Sequence, residues 1–317
     1  MRDTIRIYVT EKCNANCSNC FNMKSRTNNE IKVETFNKLC LYLKQNGITK
    51  VKLLGGEPTM HPAFEDIIKI SQQNFKHVGI FTNGLKNRFS NIKLRDTDSI
   101  IYNMNFFNNF DKDVFQFDQK GSRVLEIQIL KNTKPLEIIE MMRRFSNIEL
   151  KRLTCNLTLD CKANIFLEKS QIIPKLLFLE KQFKKLNINF FYDHKLPFCY
   201  LYKSGLTVLQ SGICSLFSSG VIDANLNLRF CLQNTEVLLS LLSHGNFIPW
   251  KIIENNLEKK YIQLRYESLK KICFSCIFYN TKCNGGCWIP QEFVKKEDIL
   301  NNTEFPLVKK ENSKSLL

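Results

Sequence analysis

Several features are scarce or missing in this 317-residue chain. No apolar run approaches the ~20 residues that a membrane-spanning helix needs. Segments such as Val237–Leu242 fall far short of it. Residues 1–10 alternate polar and apolar side chains and lack the continuous apolar core of a secretory signal. Histidine is rare, with four residues and no metal-binding spacing among them. Acidic residues number 30 against 46 Lys and Arg, a formal charge of +16, yet no basic run of five or more occurs. Dispersed charge of this kind reads as a solvated basic surface and argues against a nucleic-acid-binding arm. No internal repeat is present. Together these absences lead us to expect a cytoplasmic protein with no membrane association. What remains suits a packed fold: 44% hydrophobic residues and 11% aromatics, including 25 Phe, exclude wholesale disorder. The length suggests about two domains at roughly 150 residues each.

The thirteen cysteines carry the most information. Their density is below that of small disulfide scaffolds, and an odd count cannot pair completely within one chain. In a reducing compartment clustered thiols indicate metal binding or catalysis. Two tight groups stand out, Cys13-x3-Cys17-x2-Cys20 and Cys273-x2-Cys276-x6-Cys283-x3-Cys287, with Cys199, Cys214 and Cys231 between them. Cys40 shares a helical face with Val33, Phe36, Leu39 and Leu43, so it reads as core. Packing is also the expectation for Cys155 and Cys161, although Cys161 could line a cavity.

Hydrophobic periodicity then orders the chain. Strands are expected at Ile5–Thr10, Val51–Leu54, Val78–Thr82, Ser99–Phe107, Val124–Leu130, Ile148–Leu159 and Ile188–Tyr192. Helices are expected at Lys32–Asn46, stopped by Gly47, and at Phe64–Gln73, Pro135–Phe145 and Ser170–Leu186. Such alternation builds a parallel sheet with crossover helices, as an open sheet or a barrel. Ligands in these folds bind at the carboxyl ends of the strands. The Cys13 loop, Gly55-Gly56-Glu57-Pro58 and Asn83-Gly84 each follow one of the first three strands. Beyond residue 195 the alternation ends, with a candidate hairpin at Ser219–Cys231 and a helix at Pro249–Lys271.

Three thiolates from one short loop leave a 4Fe–4S cluster with one iron open, because such clusters normally take four. Zinc is the alternative, but no nearby His or fourth Cys completes a zinc site. The loop Cys13-Asn14-Ala15-Asn16-Cys17-Ser18-Asn19-Cys20, followed by Leu54-Gly55-Gly56-Glu57-Pro58, resembles the radical S-adenosylmethionine superfamily. Asn19 stands where relatives often carry an aromatic, and Phe21 follows the third cysteine instead. The resemblance implies a partial (β/α)6 TIM-like barrel with a 4Fe–4S cluster on Cys13, Cys17 and Cys20. S-adenosylmethionine would chelate the open iron and be cleaved by one electron to a 5′-deoxyadenosyl radical. Gly55, Gly56, Glu57, Pro58 and Asn83 are then the cofactor-binding positions. On this reading the two glycines admit close backbone approach, and Glu57 accepts from the ligand's ammonium. Asn103, Asn105 and Gln128 are candidates for ribose contacts. Tyr192, Asp193, His194, Cys161 and Glu126 could face the cavity, although residues of each kind are more often structural; no catalytic acid or base is assigned.

The second cysteine group, with Gly285-Gly286 before Cys287, resembles the SPASM extension of that superfamily, a small cysteine-rich, twitch-like domain carrying auxiliary 4Fe–4S clusters. By that analogy Cys199, Cys214, Cys231 and Cys287 hold one full cluster. Cys273, Cys276 and Cys283 hold a second, completed by a residue such as Asp298. A single auxiliary cluster, or zinc on the Cys273–Cys287 quartet, is the rival reading. The expected organisation is a radical core over 1–195, an auxiliary-cluster domain over 196–305 and a tail over 306–317. SPASM-bearing relatives commonly modify peptides or protein side chains, as ribosomal-peptide or sulfatase maturases do. The expected substrate is therefore a peptide, the alternatives being a small metabolite or, in another class, a non-catalytic metal protein that binds nucleic acid. The expected partners are an electron donor such as flavodoxin or ferredoxin and a separate peptide-recognition protein, since no recognition segment precedes the core.

Overall fold

The computed structural model describes residues 3–17, 20, 27–86, 88–103, 120–129, 133–144, 153–159, 169–192, 204–206, 220–232 and 236–268. Seven parallel strands run in chain order across one sheet: β1 (Thr4–Thr10), β2 (Lys50–Gly55), β3 (His77–Thr82), β4 (Ser99–Asn103), β5 (Ser122–Ile129), β6 (Leu153–Leu159) and β7 (Asn189–Tyr192). Helices α1 (Val33–Gln45), α2 (Phe64–Asn74), α3 (Pro135–Arg144) and α4 (Lys169–Lys185) supply crossovers. The alternating α/β reading of the sequence therefore holds through residue 192.

Each helix forms for a local reason and buries one stripe. In α1, Phe36, Leu39, Cys40 and Leu43 are fully buried, with Glu34 in the first turn and Lys44 in the last, the signs that complement the helix dipole. Gly47, at φ 82°, turns the chain out of α1, and the Ile48 N–H closes back onto the Leu43 carbonyl at 3.1 Å. Helix α4 buries Ile172, Ile173, Leu176, Leu179 and Phe183 against the same sheet face. Burial at ~1.5–3 kcal/mol per large side chain makes this helix-facing layer the main source of stability.

The sheet does not end at residue 192. β8 (Val221–Ile222) pairs in parallel with Arg6–Ile7 of β1, and β9 (Asn227–Arg229) and β10 (Val237–Ser240) extend the sheet antiparallel. The hairpin expected at Ser219–Cys231 is the β8–β9 pair, and Asp223 shapes its turn by accepting the Asn225 and Asn227 N–H groups. A further hairpin, β11 (Leu242–Ser243) with β12 (Asn246–Phe247), packs on α1, where Phe247 stacks on Tyr42 at 4.5 Å. Helix α5 (Trp250–Ser268) follows. No helix among the described residues is long and apolar enough to cross a membrane.

The period-two alternation gives the sheet two faces. One packs on the helices through Ile5, Ile7, Val51, Leu53, Val78, Ile80, Leu125 and Ile127. The other, inner face holds Tyr8, Leu54 and Val221, with Phe81 and Leu232 packed against them.

Candidate functional site

The loop after β1 is tied down at both ends. Thr10 and Glu30 form an antiparallel bridge, and the Ile31 N–H donates to the Val9 carbonyl at 2.9 Å. Glu11, buried beneath the loop, takes the Thr27 amide and hydroxyl on one carboxylate oxygen. Lys12 pairs with Glu30 at 3.0 Å. These ties fix the stretch that carries Cys13, Cys17 and Cys20. All three are half-buried and none is disulfide-bonded. The Cys20 N–H donates to the Cys17 carbonyl at 3.1 Å, and the Ala15 N–H lies 3.4 Å from the Cys13 sulfur. An amide directed at a sulfur favours its thiolate.

The Gly55-Gly56 pair meets this loop directly. Gly56 N–H donates to the Thr10 carbonyl at 2.9 Å, and Glu57 N–H to the Lys12 carbonyl at 2.8 Å. A Cβ on Gly55 would sit 2.4 Å from the Thr10 oxygen; one on Gly56 would sit 2.3 Å from the Lys12 oxygen. Glycine is required here because backbone lies on backbone. The close approach read from the sequence is thus made to the cysteine loop's own chain.

Glu57 is buried to 1% exposure, and its carboxylate is shared among protein donors. One oxygen accepts from the Thr59 N–H at 3.2 Å, the Thr59 hydroxyl at 2.8 Å and the Thr82 hydroxyl at 2.9 Å; the other accepts from the Asn83 N–H at 2.6 Å. Burial raises its pKa above the usual carboxylate value, and the donors from Asn83, Thr59 and Thr82 pull the other way. Glu57 therefore joins the turn after β2 to the end of β3. Asn83 carries the connection onward: its side-chain amide donates to Asn14 Oδ1 at 2.7 Å and lies 3.9 Å from the Cys13 sulfur. Gly84 at φ 70° completes the turn. Arg88 braces the segment after Pro58 through the Thr59 and His61 carbonyls and an ion pair with Glu65 at 2.6 Å. His61 accepts the Ala63 N–H at Nδ1 and so donates from Nε2 to the Ile31 carbonyl, a neutral ring used for structure.

Tyr8 sits below this loop, buried on the inner face. Burial drives its hydroxyl pKa well up. Arg229 opposes that shift, while Cys20, Cys231 and Glu11 lie close enough to reinforce it. Cys231, which follows β9, thus lies within electrostatic reach of the same tyrosine as Cys20. Asn29 adds a second link, donating to Asn225 Oδ1 at 3.0 Å.

Among the described residues no three His, Cys, Asp or Glu side chains form a set that could hold a metal ion, and Cys13, Cys17 and Cys20 are not drawn into one. Their chemistry nonetheless fits an iron–sulfur cluster: three thiols in one anchored loop, with an amide already directed at one sulfur. Cys199, Cys214, Cys273, Cys276, Cys283 and Cys287 lie outside the described residues, as do Asp298, Asn105, Cys161, Asp193 and His194. Cys40 and Cys155 are fully buried, as expected of core, and burial raises both thiol pKa values.

Of the two readings open for Tyr192 the structure takes the structural one: it packs in the helix-facing core and donates its hydroxyl to Glu180 of α4 at 3.2 Å. Its neighbour Phe191 faces the inner side instead and is 59% exposed. Asn103, Glu126 and Gln128 all lie on inner-face positions of β4 and β5. Sequence reasoning did not anticipate the roles of Asn14, Thr82, Glu11 or Arg229. The placement of Asn14 inside the cysteine motif was the only signal for any of them.

Residues 7–100 match the profile of the Radical SAM superfamily. The probable GTP 3',8-cyclase of Methanothermobacter marburgensis is 30% identical over 105 residues, which span 32% of this chain and 34% of that protein. The antilisterial bacteriocin subtilosin biosynthesis protein AlbA of Bacillus subtilis is 30% identical over 90 residues, 28% of this chain and 20% of that one. In fold, the chain is similar to Streptococcus suis SuiB bound to precursor peptide SuiA, with TM-score 0.64 and 16% identity over 90% of this chain and 72% of that one. It is also similar to anSMEcpe with bound AdoMet and Kp18Cys peptide, with TM-score 0.60 and 14% identity over 90% of this chain and 88% of that one.

Proposed function

We propose that this chain, an enzyme of the Radical SAM superfamily through its residues 7–100, modifies a peptide or protein side chain. In this reading Cys13, Cys17 and Cys20 hold the 4Fe–4S cluster. When bound, the cluster supplies the electron that cleaves S-adenosylmethionine to methionine and a 5′-deoxyadenosyl radical, which takes a hydrogen atom from the substrate. The protein's task is placement. Gly55 and Gly56 let the turn after β2 lie directly on the cysteine loop, Glu57 ties that turn to β3, and Asn83 holds Asn14 from the far side. Tyr8 and Leu54 close the inner face beneath the loop and exclude water there.

Cys231 lies near Tyr8, and the later cysteines extend the same chemistry to an auxiliary cluster held by Cys199, Cys214, Cys231 and Cys287. A second is held by Cys273, Cys276 and Cys283. Electrons come from a small donor protein of the flavodoxin or ferredoxin kind, and a separate protein presents the peptide.

The observation that carries the peptide reading is the extent of the likeness. The two peptide-bound structures are similar over 90% of this chain, whereas the nucleotide-cyclase match covers 32% of it. That cyclase match is the specific support for a second reading, a small nucleotide substrate.

The test is anaerobic reconstitution with iron and sulfide counted, followed by measurement of 5′-deoxyadenosine release. Replacing Cys13, Cys17 and Cys20 together by Ala should remove the release, at least 100-fold, while auxiliary iron stays bound. Retained release would contradict the assignment. Peptide pools should raise the release above the substrate-free rate and GTP should not; the reverse result selects the nucleotide reading.

A further inference from the structure

Asn83 directly follows β3, is buried to 7% exposure and has its polar atoms fixed one by one. Its backbone N–H donates to Glu57 Oε2 at 2.6 Å. Its side-chain oxygen accepts the Leu85 N–H at 3.0 Å, which decides the orientation of the amide: the oxygen turns toward Leu85 and the NH2 group toward the cysteine loop. One amide hydrogen goes to Asn14 Oδ1 at 2.7 Å. An NH2 group carries two hydrogens that point apart, and the second is left for the Cys13 sulfur, 3.9 Å from the nitrogen. The Ala15 N–H lies 3.4 Å from the same sulfur. Two amides from separate parts of the chain therefore converge on Cys13. One belongs to the loop itself, and the other is carried in by β3 and held by Glu57.

A thiolate bound to iron becomes more electron-rich when its cluster is reduced. A hydrogen bond to that sulfur therefore stabilises the reduced state more than the oxidised one and raises the reduction potential. The Ala15 amide travels with the loop and is present however the turn after β3 is built. The Asn83 donor is a side chain, so it can be removed without altering the loop's sequence. We propose that Asn83 is a potential-setting residue: its side-chain amide donates to the Cys13 sulfur and makes an iron–sulfur cluster on Cys13, Cys17 and Cys20 easier to reduce. The proposal rests on the cluster reading above, and it gives the Asn83 side chain to the cluster and not to S-adenosylmethionine. Glu57 acts one step further back, because its bond to the Asn83 N–H fixes where the amide points.

The experiment is a redox titration of the anaerobically reconstituted full chain, followed by EPR. The signal that changes when S-adenosylmethionine is added marks the cluster in question and separates it from auxiliary clusters. Asn83→Asp is the sharpest variant. It keeps the shape of the side chain and the oxygen that accepts the Leu85 N–H, loses the NH2 donors and sets a carboxylate against the sulfur. Reduction should become about tenfold less favourable or more, a lowering of at least about 59 mV for one electron. Asn83→Ala removes the donor without adding charge and should cost about three- to tenfold. Asn14→Ala takes away the other acceptor but leaves donor and sulfur in place, so the potential should stay at the parent value. A shift in Asn14→Ala as large as that in Asn83→Ala would mean that loop geometry sets the potential, and overturns the proposal. So does an Asn83 variant that loads iron fully and keeps the parent potential; if its S-adenosylmethionine affinity falls by equilibrium dialysis, the side chain belongs to the cofactor. Loss of the cluster from both Asn83 variants assigns the residue to holding the loop and overturns the proposal as well. A parent enzyme with no S-adenosylmethionine-sensitive signal refutes the cluster reading itself.

Discussion

On the β1–β3 side of the sheet the inner face is largely sealed: Tyr8, Thr10 and Leu54 are buried, and Lys52 and Phe81 are half-buried. On the β5–β7 side the corresponding positions are half-buried at Val124, Glu126 and Gln128 and exposed at Asn189 and Phe191. Both sides are parallel strands covered by helices on the outside, so architecture does not explain the difference. Polar groups do. The sealed side is cross-linked by hydrogen bonds that run from Glu57 to Thr82 and Asn83 and on to Asn14. Those bonds leave little freedom at the cysteine loop, where an error of an ångström would be costly to catalysis. The open side leaves Phe191 exposed. The contrast sets a tightly held cysteine loop on one half against a more exposed inner face on the other.

The largest effect on the cysteine loop should come from crowding the sealed side. Gly56→Ala places a Cβ against the Lys12 and Glu11 carbonyl oxygens, at 2.3 and 2.5 Å, and both are backbone atoms that cannot rotate away. The loop must move, at a cost of about 1–3 kcal/mol or more. Urea unfolding should show that loss, and reconstituted Gly56→Ala should bind less iron than the parent. An alanine at 56 that left both unchanged would show that the sealed side tolerates movement.

The same contrast separates what could be read from the sequence from what could not. The face of α1 was legible because Phe36, Leu39, Cys40 and Leu43 recur at helical spacing and only one side of that helix is apolar. The strand order followed from alternation of strands and helices. The side of Tyr192 stays open in the sequence because Phe190-Phe191-Tyr192 is apolar at three successive positions, which erases the period-two signal; only the pairing with β6 shows that Phe190 and Tyr192 share the helix side. The two-residue strand β8 is too short for any periodicity, and its partner β1 lies more than 200 residues away, so their pairing is a tertiary fact. The Glu57 motif was legible as a site but not as a brace, since Thr59, Thr82 and Asn83 converge on it only in three dimensions.

That brace gives a smaller and pH-dependent effect. Glu57→Gln replaces an acceptor oxygen by an NH2 group that cannot accept, at about 1–3 kcal/mol. Burial holds the folded pKa of Glu57 above its unfolded value, so its ionisation favours the unfolded chain. Its contribution to stability is therefore full below the unfolded pKa and declines as pH rises through the folded pKa. Asp98 works in the opposite sense: Arg95 and Gln72 hold its pKa below the usual value despite burial, and stability from it falls on acidification. The difference in stability between the parent and Glu57→Gln isolates the first term, because Asp98 is common to both. That difference should widen as the pH is lowered from neutral toward 5 in a series of urea titrations. A difference that narrowed on acidification would mean that the Thr59, Thr82 and Asn83 donors, not burial, set the ionisation of Glu57.

The smallest stability effect belongs to the open side. Phe191 is 59% exposed, so Phe191→Ala removes little buried surface and should change unfolding free energy by less than about 0.5 kcal/mol. Leu54, on the same sheet face but sealed at 2% exposure, should cost about 2–5 kcal/mol when cut to Ala. The pair measures the contrast directly, because both are apolar, both face inward, and only their surroundings differ. Equal losses would mean that Phe191 is covered in solution and that the β5–β7 side is as closed as the other. A loss confined to Leu54 keeps Phe191 where a substrate can reach it, with no role in holding the fold together.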